Sequence, residues 1–202
     1  LIVHCSTTSA SAYTVKFDNV TVTPTTYAFG TPITDWTAYS IGTVGGATTN
    51  PTVTWNDTNN SRWRRVGDSM EIYMNVATTS VTAVGSGVYF WPLPTGYTID
   101  TNKTAVYTTA VVRSDRINAV GNGSLSGNGS TTGWTTALGT GATIFAASLG
   151  GSNSYLVMEA TSNSTMVGSA NYALATSGFF NYTIHAMVPI LGWSSSVQMS
   201  QD

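Results

Sequence analysis

Sixteen charged residues, seven Lys+Arg and nine Asp+Glu, and two histidines are the whole stock from which this 202-residue chain could build catalytic chemistry. Glycoside hydrolysis needs two carboxylates about 5–10 Å apart across a cleft. The candidates are Asp68, Glu71, Asp100, Asp115 and Glu159. Asp68 and Glu71 lie three apart in a strand-like run, so they face opposite ways. Glu159 has no acid near it in sequence. Nucleophilic catalysis needs a histidine beside a Ser or Cys. His4 adjoins Cys5, but neighbours in a strand point to opposite faces. His185 sits opposite Ile184 in an alternating run, with Asn181, Thr183 and Met187, and reads as a sheet histidine. No G-x-S-x-G elbow occurs. Two histidines at positions 4 and 185 and one thiol make no zinc set, and no D-x-D-x-D-G calcium loop appears. Calcium on loop carboxylates such as Asp57 or Asp115 stays open. Gly121, Gly123, Gly127 and Gly129 lack a following Lys and open no helix, so they read as a loop and not a phosphate cradle. The expectation is a protein that is not an enzyme and carries no cofactor or metal.

Recognition chemistry is a separate question. Seven scattered cations cannot form the basic patch that nucleic acid requires. Sugars are bound by aromatic faces with amide and hydroxyl groups beside them. Trp55, Asn56, Asp57 and Trp63 offer such a loop, and the segment around Trp134 offers another. These five are the candidate glycan-facing residues. A chain this aromatic also needs Trp in its core, and an exposed aromatic patch equally suits a subunit interface.

The elements that must hold these residues are strands. Only 8% of residues are charged, against about 25% in an average domain. Ser and Thr number 23 and 35, and aromatics reach 11%. Hydrophobicity is too high for disorder, and the Thr, Val and aromatic content favours β structure. Cys5 is the only cysteine, so no intramolecular disulfide is possible. No apolar run reaches the roughly 18 residues of a membrane-spanning helix, so no membrane insertion is expected. The eight N-x-[ST] sequons follow from the abundance of Asn and Thr.

The opening Leu1-Ile2-Val3-His4 reads as a chain entered in mid-strand, a C-terminal fragment or processed product. Leu1–Cys5 and Thr14–Val22 read as the terminal strands of an upstream β-sandwich (residues 1–24), and residues 25–34 as a linker. The remaining domain, 35–202, shows strand signals over Ser61–Ala77, Gly87–Leu93, Lys103–Val112, Thr143–Leu149, Ser154–Ala160 and Phe179–Ile190. Gly121–Thr140 reads as a long surface loop or loose hairpin. Met70, Ile72, Met74 and Val76 alternate with polar residues, as do Phe180, Tyr182, Ile184, Ala186, Val188 and Ile190. The spacing predicts an antiparallel β-sandwich or jelly roll of eight to ten strands.

Four spaced segments carry a resemblance. They are Thr34-Asp35-Trp36-Thr37-Ala38-Tyr39, Trp63-Arg64-Arg65-Val66-Gly67-Asp68-Ser69-Met70-Glu71-Ile72, Leu93-Pro94-Thr95-Gly96-Tyr97-Thr98-Ile99-Asp100 and Val188-Pro189-Ile190-Leu191-Gly192-Trp193. Over residues 35–196 the chain resembles a domain common in tailed-phage virion proteins. The resemblance implies a trimeric jelly roll of the tumour-necrosis-factor or complement-globular-head type, exposed on the virion surface. Its partners would be its own copies and other capsid or tail proteins. The function implied is that of a head-decoration or fibre module; the alternative is a receptor- or glycan-binding fibre tip facing a host-surface glycan. Tyr13–Val22 resembles the last strand of carbohydrate-binding-module-like jelly rolls. The motif residues are Trp36, Tyr39, Arg64, Arg65, Gly67, Asp68, Pro94, Gly96, Tyr97, Asp100, Pro189, Gly192 and Trp193, and they also have a structural reading. Arg64 is expected to fork onto Asp35, Asp68 or Asp100. Pro94 and Gly96 fit a turn. Trp36 and Trp193 are expected to pack together.

Overall fold

Met70, Ile72, Met74 and Val76 are all buried while their neighbours are half-exposed, and this alternation runs a strand from Ser69 to Ala83. The structure, a computed structural model, describes residues 29–30, 32–56, 61–108, 118–127, 140–162, 164–176, 179–194 and 197–198. The strands expected at Leu1–Cys5 and Thr14–Val22 lie outside these residues. In chain order the strands are β1 (Phe29–Gly30), β2 (Thr37–Ala38), β3 (Gly45–Gly46), β4 (Thr52–Asn56), β5 (Arg62–Val66), β6 (Ser69–Ala83), β7 (Tyr89–Pro92), β8 (Ala119–Gly127), β9 (Thr140–Leu149), β10 (Ser152–Ala160), β11 (Thr165–Met166), β12 (Phe180–Pro189) and β13 (Val197–Gln198). The fold is all-β, with no helix among the described residues, and residues 29–197 make one compact unit.

Eleven strands form one hydrogen-bonded sheet in the order β2-β5-β6-β12-β8-β9-β10-β7-β3, with β4 on β6 and β11 on β10. The strand pairings described are antiparallel. The sheet curls into a half-barrel. Aromatic contacts show how far it curls. Trp55 of β4 and Trp91 of β7 belong to distant parts of the strand order, yet their ring centroids are 5.4 Å apart. Tyr182 of β12 lies 5.9 Å from the first ring and 4.8 Å from the second. The concave side thus joins β6 and β12 to β7, β9 and β10 around one core. On the other face of β7, β9 and β10 a smaller cluster forms from Phe90, Tyr107, Phe145, Ala147 and Val157.

Several expectations are corrected. Ser61–Ala77 is a hairpin and not one strand, because the chain turns at Gly67-Asp68. The first part of the expected loop, residues 121–127, belongs to β8, an interior strand between β12 and β9; residues 128–139 lie outside the described residues. Glycine is required there by close approach: a Cβ on Gly121 would stand 2.1 Å from the carbonyl oxygen of His185, and one on Gly123 2.1 Å from that of Thr183. Of the strand expected over Lys103–Val112, Lys103 belongs to a turn and Tyr107 makes a parallel bridge to Ala147, while residues 109–112 lie outside the described residues. In the expected linker, Ile33 bridges Val66, and Pro32 accepts a hydrogen bond from the Gly67 amide at 2.8 Å.

Candidate functional site

The register of the β5–β6 hairpin is set at Val66-Gly67-Asp68-Ser69. Gly67 has φ of 67°, which a side chain would oppose and a two-residue hairpin loop needs at its first central position. Val66 therefore pairs with Ser69, Arg64 with Glu71 and Arg62 with Tyr73. Alternation then turns Trp63 and Arg65 toward one face and Arg62 and Arg64 toward the other. The chemistry-bearing residues fall into two groups accordingly.

The first group closes one end of the sheet. Gly96 and Gly192 have φ of 93° and 83°, so these motif glycines, like Gly67, sit where the backbone is left-handed. Ile190 donates its amide to the Asp68 carbonyl at 2.9 Å, Asp100 to Pro189 at 2.9 Å and Leu191 to Thr98 at 2.8 Å. Three of the four motifs thereby share backbone hydrogen bonds. Trp63, Tyr97 and Trp193 pack as a trio with centroid distances of 4.8, 5.4 and 6.3 Å. Arg65 lies over Trp193 at 5.0 Å and donates to the carbonyls of Gly67 and Ser194 at 2.7 and 3.0 Å. Lys103 reaches Asp68 at 3.0 Å and the buried Asp100 at 3.8 Å. The Lys103 hydrogen bond, helped by one from Ser69, holds the Asp68 carboxyl below its ordinary value. Tyr39 packs against the core and donates its amide to Ser61 at 3.1 Å.

The second group lies on the outer face of β5, β6, β12 and β8. Arg64 Nε donates to Glu71 Oε2 at 2.6 Å, and His185 Nε2 lies 2.9 Å from Glu71 Oε1. Burial pushes the Glu71 carboxyl up, but the hydrogen bonds with His185 and Arg64 outweigh it and leave it below its ordinary value. Trp36 lies beneath both arginines, at 5.2 Å from Arg62 and 4.7 Å from Arg64. Tyr73 lies 5.1 Å from Arg62.

These placements correct two expectations. The partner of Arg64 is Glu71, because the short turn puts them opposite each other, and Lys103 engages Asp68 and Asp100 instead. Trp193 packs on Trp63 and Tyr97, while Trp36 is 39% exposed under the arginines. Pro94 and Gly96 do form a turn. Of the glycan-facing candidates, Trp55 and Trp63 are half-buried and pack against the core, and Trp55 also lines a groove beside residues 40–44. Asn56 is exposed at the end of β4; Asp57 and Trp134 lie outside the described residues.

Arg62, Tyr73, Lys103 and the Glu71–His185 contact were not anticipated. The Arg64–Glu71 pair had a signal, since a two-residue turn at Gly67-Asp68 makes partners of residues whose numbers sum to 135. Among the described residues no three of His, Cys, Asp and Glu gather as a metal site would require. A 570 Å³ groove between residues 40–44 and 50–55, and a 330 Å³ hollow beside Tyr107 and Met166, have no Asp, Glu, Lys, Arg or His in their linings. Most of the described ionic groups lie on the outer face or at the motif end, while Glu159 is buried within β10. No family model, curated protein or solved structure matches the chain.

Proposed function

We propose that this chain is a structural module of a virion, a jelly-roll β-sandwich that assembles as a homotrimer and is displayed on the particle as a head decoration or fibre segment. One observation carries the reading. Segments scattered from Arg65 to Ser194 come together at one end of the sheet through shared backbone hydrogen bonds and the Trp63–Tyr97–Trp193 trio. Three of the four segments that carry the resemblance to phage virion domains meet here, and their meeting supports it. That link is an analogy at the level of fold, since function resides in sites and not in folds.

In this reading the work of the protein is assembly. Apolar strand faces pack within the subunit, and hydroxyl-rich segments keep the surface soluble with little charge. Ile33 and Leu191, 63% and 60% exposed, supply apolar surface for contact between copies. Light scattering of the purified chain tests the trimer: the expected mass is about three times 21.2 kDa. A stable monomer sinks it. Gold labelling of particles with an antibody to the chain tests the virion assignment, and unlabelled particles count against it.

A further inference from the structure

Arg62 differs from the other cations described. Arg64 is paired with Glu71, Lys103 with Asp68, and Arg65 with two backbone carbonyls. Arg62 is exposed, lies 5.2 Å from the Trp36 ring and 5.1 Å from the Tyr73 ring, and has no carboxylate partner among the described residues. The rings hold the guanidinium in place, and a guanidinium stacked on aromatics keeps its N–H fork free in its own plane. Within β5, β6, β12 and β8 the single acid is Glu71, and it already takes Arg64 and His185. On these strands the outer face therefore carries one guanidinium more than it has carboxylates, in a chain of net charge −2.

The surroundings of Arg62 are ordered by the sheet. Arg62, Tyr73, His185 and Asn122 are direct cross-strand neighbours on β5, β6, β12 and β8. With strands about 4.8 Å apart, this row spans roughly 14 Å of rigid surface. Thr183 and Ser124, in the next row, have their hydroxyls 2.7 Å apart. Imidazole, amide and hydroxyl groups thus lie in line with a cation prepared for a carboxylate.

We propose that this outer face binds an acidic saccharide, with a sugar carboxylate on Arg62 and sugar hydroxyls on His185, Asn122 and the Thr183–Ser124 pair. A carboxylate is the natural complement of the free fork, which it can engage through two parallel hydrogen bonds. An acidic peptide fits less well. Peptides join sheets through free backbone groups at an edge, and here the backbone of β6, β12 and β8 is paired on both sides. One spare cation is also too little for a polyphosphate chain. The inference stands whether or not the chain trimerises.

The test is titration calorimetry of the full chain with tetragalacturonate, alginate oligomers and sialyllactose, with carboxyl-reduced counterparts as neutral controls. Binding is expected for at least one acidic sugar, weakened tenfold or more by carboxyl reduction. R62Q and R62K are both expected to lose tenfold or more, the latter because an ammonium has no planar fork. N122A is expected to lose several-fold with Arg62 intact, and a circular dichroism melt verifies that each variant folds. Three results overturn the proposal: no acidic sugar binds at millimolar concentration, R62Q binds as wild type does, or tetraglutamate binds as tightly as the sugars.

Discussion

The Nε of Arg64 lies 2.6 Å from Oε2 of Glu71, across the β5–β6 hairpin, and the same carboxylate meets His185 of β12 on its other oxygen. Three strands are tied by one side chain that is only 14% exposed. Replacing Glu71 with Ala leaves Arg64 and His185 without their shared acceptor. The expected cost is about 1–3 kcal/mol, the usual penalty for orphaning a partly buried polar group. Urea denaturation reads it as a lower midpoint at unchanged slope. A midpoint equal to that of wild type would show the contact to be idle.

The two depressed carboxyls set an acid limit to stability. A group whose folded value lies below its unfolded one stabilises the fold above the unfolded value, and that stabilisation fades as pH falls through the folded value. Glu71 and Asp68 have ordinary values of 4.5 and 3.8, and both are lowered in the fold. Their contribution is therefore fully present at neutral pH, begins to decline near the upper of these values and continues to fall below the lower. The acid limb of unfolding free energy against pH is expected to be shallower in E71Q and in D68N than in wild type. Parallel limbs would contradict the assignment.

β8 survives as an interior strand because glycine lets β12 come close. G121A and G123A each put a methyl group against a backbone carbonyl at 2.1 Å, which no side-chain rotation can relieve. The expected loss is about 1–3 kcal/mol or more, as for overpacked cores. G141A is the control, since its nearest contact is the Thr161 hydroxyl at 3.1 Å. Thermal melts should rank the control well above the other two; an equal drop in all three would refute the close-approach argument.

The Trp63–Tyr97–Trp193 trio should behave as a coupled unit. A double-mutant cycle with Y97A and W193A is expected to show a coupling energy of about 0.5–1.5 kcal/mol, the range of aromatic pairs. Strict additivity would mean that the rings merely lie near each other.

Much of this was legible in the chain. The period-2 runs at Met70–Val76 and Phe180–Ile190 named two strands and their buried faces, because a strand turns alternate residues to opposite sides. The motif glycines marked turns, because only glycine takes a positive φ cheaply. Ala119–Gly127 was hidden for the converse reason: its Gly, Asn and Ser content has poor β propensity, and its glycines answer to a neighbouring backbone that local sequence does not display. The Glu71–His185 contact was hidden because 114 positions separate the two residues, and nothing local sets the register of β12 on β6.

From residue order alone came the all-β class and the faces of the strongest strands, and both follow from short-range geometry. The hairpin that makes Arg64 and Glu71 neighbours reads in the sequence as a single strand, and the structure supplies its turn at Gly67-Asp68. The curl of the sheet settled the rest. It turned Trp55 and Trp63 toward the core, gave Trp193 to Trp63 and Tyr97 in place of Trp36, and left Trp36 outside beneath Arg62. Those outcomes depend on which strands lie side by side, and that is decided by packing the whole core at once.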